Sequence, residues 1–202
     1  MIETLILATH NQGKVDEFGV MLGDVLGTKI KEIKSAAAFN LPEPEETEDS
    51  FVGNALLKAR AACSKTGLPS LADDSGLAVD ALNGAPGIYS ARWAETEKGR
   101  DFKKAMQRVN EECGRINGTQ TARFVAVLAL VYPSGEEVTF EGTVEGHLVW
   151  PPQGEKGFGY DPIFEPKGHD ITFAEMEQNK KNAMSHRANA VKKFIEYLNT
   201  HA

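Results

Sequence analysis

The sequence predicts an α/β fold built on a long mixed sheet. Strand-like and helix-like patterns alternate through the first half, and two long runs rich in Val, Phe, Leu and Thr flank Pro133-Ser134-Gly135 in the second. Bulk agrees: 202 residues, 41% apolar and 25% charged, suffice to bury a core as one domain or two intimate lobes.

Each element follows from its pattern. Thr4 to Ala8, TLILA, reads as a short buried strand. A polar turn, Thr9 to Lys14, leads into a helix whose apolar residues Val15, Phe18, Leu22 and Val25 keep helical spacing until Gly27. Lys29 to Lys34 alternates polar and apolar as a half-exposed strand does. Leu41 to Asp49, LPEPEETED, is acidic with two prolines and should be a loop. A second helix runs from about Ser50 to Thr66 with Phe51, Val52, Ala55, Leu56, Ala59, Ala62 and Cys63 on one face, stopped by Gly67 and Pro69. Leu71 to Gly76, LADDSG, reads as a strand end, with Leu77 to Val79 beyond it and a turn at Asn83 to Gly87. Glu97 to Glu112 reads as a strongly charged third helix. Thr121 to Tyr132 and Glu136 to Val149 form a hairpin. Trp150 to Tyr160 is rich in Gly and Pro, Ile163-Phe164 is one more short strand, and a last helix opens at the N-cap Ser185 with the stripe Ala188, Val191, Phe194, Ile195 and Leu198.

Composition narrows the function. A net charge of −7 disfavours a long nucleic-acid groove, although a small anion can bind through a local cluster of donors or a metal ion. The two cysteines, Cys63 and Cys113, have no zinc-ligand spacing. The longest apolar run, Phe124 to Tyr132, is too short to span a bilayer, and the apolar run near the start stops by Ala8 with Glu3 inside it. A cytoplasmic protein acting on neither membrane nor nucleic acid is expected.

Four polar stretches lie where strands end or helices begin. Thr9-His10-Asn11-Gln12-Gly13-Lys14 is a strand-to-helix turn whose N–H groups, with Lys14, suit a phosphate; an ordinary capped turn reads the same way. It is not a Walker motif, since Val15 follows the lysine. Glu45-Glu46 together with Asp73-Asp74 offers carboxylate oxygens for a hard cation or a general base, against the alternative of a solvated acidic loop and a strand end closed by an Asx turn. Gly157 to Pro162, GFGYDP, lets backbone approach a flat ligand and offers aromatic faces, or is simply a tight turn. Ser185-His186-Arg187, with Lys181 one turn earlier, places an all-donor guanidinium where the acceptor edge of a 6-oxopurine would suit it, or is a capped helix start.

Taken in order, AT-x-N-x-x-K, EET, LADDSGL, GAPGIYSAR, GFGYDP and K-x-x-x-SHR closely resemble the inosine triphosphate pyrophosphatase family from Leu7 to the last helix. The resemblance implies a mixed sheet with flanking helices in two lobes around a central cleft, a single pyrophosphatase domain over residues 1–202, a homodimer, and Mg2+-dependent cleavage of non-standard purine nucleoside triphosphates (ITP, dITP, XTP) to monophosphate and pyrophosphate. It implies phosphate contacts from Thr9, His10, Asn11, Gln12, Gly13, Lys14, Lys58 and Ser75. It implies metal ligation by Glu46 and Asp74, with Asp74 the catalytic carboxylate, and a base pocket of Phe158, Gly159, Tyr160, Asp161, Lys181, His186 and Arg187. One departure is visible: His10 stands where many members have glycine. Because neighbouring strand residues face opposite ways, Asp74 is assigned to chemistry and Asp73 to structure, bonding backbone in the adjacent turn. Rival readings are a pyrophosphatase for altered pyrimidines, a phosphatase releasing single phosphates, a non-hydrolysing nucleotide sensor and an RNA-binding module; the sensor needs no acids, and the RNA module needs a basic, aromatic-studded sheet face.

Overall fold

The computed structural model describes residues 1–201. In chain order the elements are β1 (Ile2–Leu7), α1 (Gln12–Met21), β2 (Ile30–Ser35), α2 (Phe51–Thr66), β3 (Ser70–Val79), β4 (Glu95–Thr96), β5 (Gly99–Arg100), α3 (Phe102–Glu112), β6 (Thr121–Val131), β7 (Glu137–Leu148), β8 (Phe164–Pro166), α4 (Gln178–Met184) and α5 (His186–His201). Six strands make one sheet in the order β2-β1-β3-β6-β7-β8, and β4 pairs with β5 as a small antiparallel ribbon. β1 runs parallel to both β2 and β3, each reached through a helix, whereas β7 and β8 are antiparallel. The mixed α/β sheet expected from the alternation is therefore present.

The chain forms two compact units. The first comprises Met1–Asp74, Ala126–Gly142 and the chain from Ala188 on; the second comprises Ser75–Val125 and Thr143–Arg187. In the first unit, Leu5, Leu7, Phe18, Ile30, Leu71, Leu128, Phe194 and Leu198 form one core. The small face of α2, with Ala55, Ala59, Ala62 and Cys63, is buried. Ser50 caps α2 by accepting the Gly53 N–H at 3.1 Å, and Gly67, at φ 67°, closes its C-terminus. In the second unit, Leu77, Val79, Met106, Val109, Phe124, Phe164 and Phe173 pack together, with Phe124 edge-on to Phe164 at 4.7 Å.

Three elements depart from the sequence reading. LADDSG is not a strand end: β3 runs unbroken from Ser70 to Val79. Ser75-Gly76 resembles a turn because glycine is there for a different reason. A Cβ on Gly76 would lie 2.3 Å from the Gly87 carbonyl oxygen and 2.5 Å from Ser90 Oγ, so only glycine admits the turn that crosses it. Ser90 Oγ in return accepts the Leu77 N–H at 2.9 Å. The third helix starts at Phe102, not Glu97, because Asp101 caps it by accepting the Lys103 N–H at 3.0 Å, and the charged residues before it form the ribbon. Finally, Lys181 lies in a separate helix, α4, whose sequence QNKKNAM carries no apolar stripe to announce it.

Candidate active site

The turn between β1 and α1 is held by its own side chains. The Ala8 N–H donates to the Leu71 carbonyl at 2.8 Å, docking the end of β1 beside β3. Thr9 Oγ1 accepts the Asn11 N–H at 3.1 Å, and Asn11 Oδ1 caps α1 by accepting the Lys14 N–H at 3.2 Å. In a helix the first N–H groups have no intrahelical acceptor, so those of Gln12 and Gly13 are available to an anion. The Gln12 side chain turns to Asp16 at 2.8 Å, and the exposed His10 ring reaches the Leu41 carbonyl at 2.6 Å. Lys14 Nζ lies 2.6 Å from Asp73 Oδ2. Asp73, expected to bond backbone in the adjacent turn, pairs with a side chain of the first turn of α1.

Beside that turn, α2, β3 and the acidic loop bring three charged groups to one point. Lys58 Nζ donates to Glu46 Oε1 at 2.7 Å and to Asp74 Oδ1 at 2.9 Å. Lys58 and Asp74 are each only 7% exposed. Glu46 is half-buried, whereas its neighbours Glu43, Glu45 and Glu48 face solvent, which sets Glu46 apart from its solvated companions. The second Asp74 oxygen, Oδ2, is buried and makes no hydrogen bond. Burial pushes the Asp74 carboxyl up to about 6, and Glu46 and Asp73 add to the rise while Lys58 opposes it. Burial disfavours the Lys58 ammonium, but the carboxylates of Asp74 and Glu46 outweigh it and its pKa is raised. A carboxylate that titrates near neutrality and keeps one oxygen uncommitted can take a proton from water or bind a cation. Among the described residues no group of three or more His, Cys, Asp or Glu side chains is arranged to hold a metal ion by itself. Two carboxylates with an uncommitted oxygen do fit Mg2+, which commonly takes one or two carboxylates and completes its shell from water and substrate phosphate.

In the second unit, the Gly157–Asp161 turn wraps around a buried carboxylate. Asp161, 2% exposed, accepts the Phe158 N–H at 2.6 Å and pairs with Lys181 Nζ from α4. Burial raises the Asp161 pKa, with Lys181 opposing. A Cβ on Gly157 would lie 2.2 Å from Asp161 Oδ2, and its φ is +76°, so the turn needs glycine there on both counts. A Cβ on Gly159 would make only ordinary contact with Phe102, at 3.6 Å. Phe158 is 64% exposed and rests edge-on against Phe102, with ring centroids 4.8 Å apart. Tyr160 is 2% exposed and donates its hydroxyl to the Ser90 carbonyl at 2.9 Å, so it supports the turn from inside the core. The His186 ring stacks on Phe124 at 4.9 Å, and Arg187 Nη2 donates to Ser75 Oγ at 3.1 Å.

The structure therefore assembles Glu46, Lys58 and Asp74 in one cluster, Lys14 and Asp73 in a pair beside the anion-binding turn, Phe158, Asp161 and Lys181 in a second cluster, and Ser75 with Arg187. Two supporting residues escaped the sequence reading. Asn54 is fully buried and accepts the Glu48 N–H at 3.1 Å; its signal was a polar residue one turn from Lys58 beside an apolar helical face. Phe102 supports Phe158, and nothing in its charged surroundings marked it.

A family model described as the Ham1 family matches residues 5–197. The chain belongs to the Ham1 family. Among its relatives, a Ruegeria pomeroyi protein named dITP/XTP pyrophosphatase is 53% identical over 196 residues, covering 96% of this chain and 94% of that protein. A Caulobacter vibrioides protein of the same name is 54% identical over 191 residues, covering 94% and 95%. Among solved structures, a Ham1 protein from Coxiella burnetii superposes with a TM-score of 0.87 at 38% identity, covering 98% of this chain and 100% of that one. A nucleoside-triphosphatase / dITP/XTP pyrophosphatase from Mycobacterium abscessus gives 0.76 at 39%, covering 95% and 97%. The resemblance read from the ordered motifs is borne out by these relatives.

Proposed function

We propose that this Ham1-family chain is a hydrolase that cuts ITP, dITP and XTP to the nucleoside monophosphate and pyrophosphate, with its two units acting as one pyrophosphatase domain. The observation that carries the chemistry is the buried Asp74, whose free Oδ2 stands beside the Lys58 ammonium and Glu46. Asp74 takes the proton of the water that attacks the α-phosphorus. Lys58, Lys14 and the first N–H groups of α1 offset charge on the departing pyrophosphate. Glu46 and Asp74 would hold Mg2+, which would supply positive charge to offset that of the triphosphate. The exposed Phe158 face stacks on the purine, and Arg187 and Lys181 present donors to its O6 and N7 acceptors, while Asp161 fixes the turn beneath. Adenine, with an amino donor at C6, leaves such donors unmatched. His186 and Tyr160 hold the pocket through their stack and hydroxyl bond.

The names of the relatives support the substrate class, and a homodimer in the cytoplasm is the assembly that the family resemblance favours. No helix among the described residues is long and apolar enough to cross a membrane. A panel of nucleoside triphosphates with Mg2+ and separate detection of pyrophosphate and orthophosphate tests the reading. ITP, dITP and XTP should be cut far faster than ATP, with pyrophosphate as the product, and Arg187→Ala should lower the ITP/ATP ratio. Orthophosphate as the first product, or equal rates on ITP and ATP, would refute it.

A further inference from the structure

The loop that carries Glu46 is held in an unusual way. Residues 41–48 have no regular secondary structure, and beneath the first part of this segment lies a cavity of about 180 Å³ lined by His10, Leu41, Pro42, Pro44, Ala61 and Ala62 among others. Leu41 and Pro44, which face that volume, are only half-buried. Polar contacts help to hold the loop, beginning with the Leu41 N–H, which donates to the Ala36 carbonyl at 3.2 Å. Lys58 Nζ holds Glu46 at 2.7 Å, Asn54 Oδ1 accepts the Glu48 N–H at 3.1 Å, and His10 Nε2 bonds the Leu41 carbonyl at 2.6 Å. The Lys58 contact is the one in the candidate site, and the Asn54 contact ties the far end of the loop to α2. The His10 contact ties the near end to the anion-binding turn. A carbonyl oxygen accepts and never donates, so Nε2 carries the hydrogen, and the bond is open to the ring whether neutral or protonated.

We infer that His10 is a positioning residue: by donating to the Leu41 carbonyl it latches the acidic loop to the β1–α1 turn and so sets where Glu46 stands beside Lys58 and Asp74. The latch itself follows from geometry alone, and only its effect on turnover rests on the proposed function. The expectation that His10 serves the phosphate is thereby narrowed, since its ring is directed to the loop.

The test uses the full chain, a glutamate-specific endopeptidase and mass-spectrometric detection of fragments. Cleavage after Glu45, Glu46 and Glu48 reports opening of the loop, and cleavage after the exposed Glu155 serves as a control. His10→Gly removes the side chain, His10→Phe keeps the ring without the hydrogen, and His10→Gln keeps an N–H donor at similar reach. The Gly and Phe variants should be cut in the loop about fivefold faster than the parent, the population shift that one neutral hydrogen bond controls when opening is fast. The Gln variant should stay near the parent, and Glu155 cleavage and the urea midpoint should not move. In parallel, the Mg2+ concentration for half-maximal ITP hydrolysis should rise in the Gly and Phe variants but not in Gln. Loop cleavage at the parent rate in both Gly and Phe, or a rise at Glu155 as well, overturns the latch. Faster cleavage with an unchanged Mg2+ requirement overturns its link to Glu46. If the parent itself leaves ITP intact, the proposed function falls while the cleavage pattern still decides the latch.

Discussion

Asp74 carries opposed demands on stability and chemistry. Its carboxyl titrates at about 6 in the fold and at an ordinary carboxylate value when the chain is unfolded. Between those values the folded state holds the extra proton, so the contribution of this group to stability is greatest below the unfolded pKa and is lost as pH rises through 6. The rise corresponds to about 3 kcal/mol of destabilisation above pH 7. Asp74→Asn should therefore raise the urea midpoint at pH 8, by less than that amount because Lys58 then keeps only Glu46 as an anionic partner, and the advantage should shrink toward pH 5. The same variant should lower kcat/KM on ITP by about 10²–10⁴, the usual reach of a positioned general base. A variant less stable than the parent at pH 8 would show that the carboxylate is not held under strain. The closeness of Asp74 and Glu46 was anticipated because the ordered motifs named both acids, and the structure brings them to one ammonium, Lys58. That Asp73 binds Lys14 was not, since residues 59 positions apart meet only through the pairing of β1 with β3.

At the scale of elements, β3 shows what local patterns miss. Ser75-Gly76 carries the chemistry of a turn, yet the strand continues because a distant turn at Gly87 presses against it. Gly76→Ala should lower stability by about 1–3 kcal/mol in urea unfolding, the usual penalty of overpacking, because backbone on one side of the new Cβ cannot yield as a flexible side chain would. An unchanged midpoint would mean that the Gly87–Tyr89 segment moves away freely. Strongly periodic elements such as α2 and α5, and the hairpin of β6 and β7, were readable because their own apolar spacing specifies them. α4 was not readable, because QNKKNAM has no face to bury, and α3 was extended too far because charged residues before Asp101 look like helix surface until the cap is seen.

For the molecule as a whole, the net charge of −7 means that an anionic substrate is not drawn in by the general field. The local pairs sharpen this. Glu46, Asp73 and Asp74 face Lys14 and Lys58, three acids against two ammonium groups, so at full ionisation this patch keeps one negative charge in surplus. Calorimetric titration with ITP in the presence of a chelator should show binding far weaker than with Mg2+ and a non-hydrolysable ITP analogue, while circular dichroism stays unchanged; equal affinity would contradict the charge count. On this reading, two lysines already paired with acids would act as a lock against bare polyphosphate. Under the proposed function, such a protein would discriminate by the state of its ligand as well as by its shape, ignoring nucleotides stripped of their counter-ion and letting go of pyrophosphate once the cation departs.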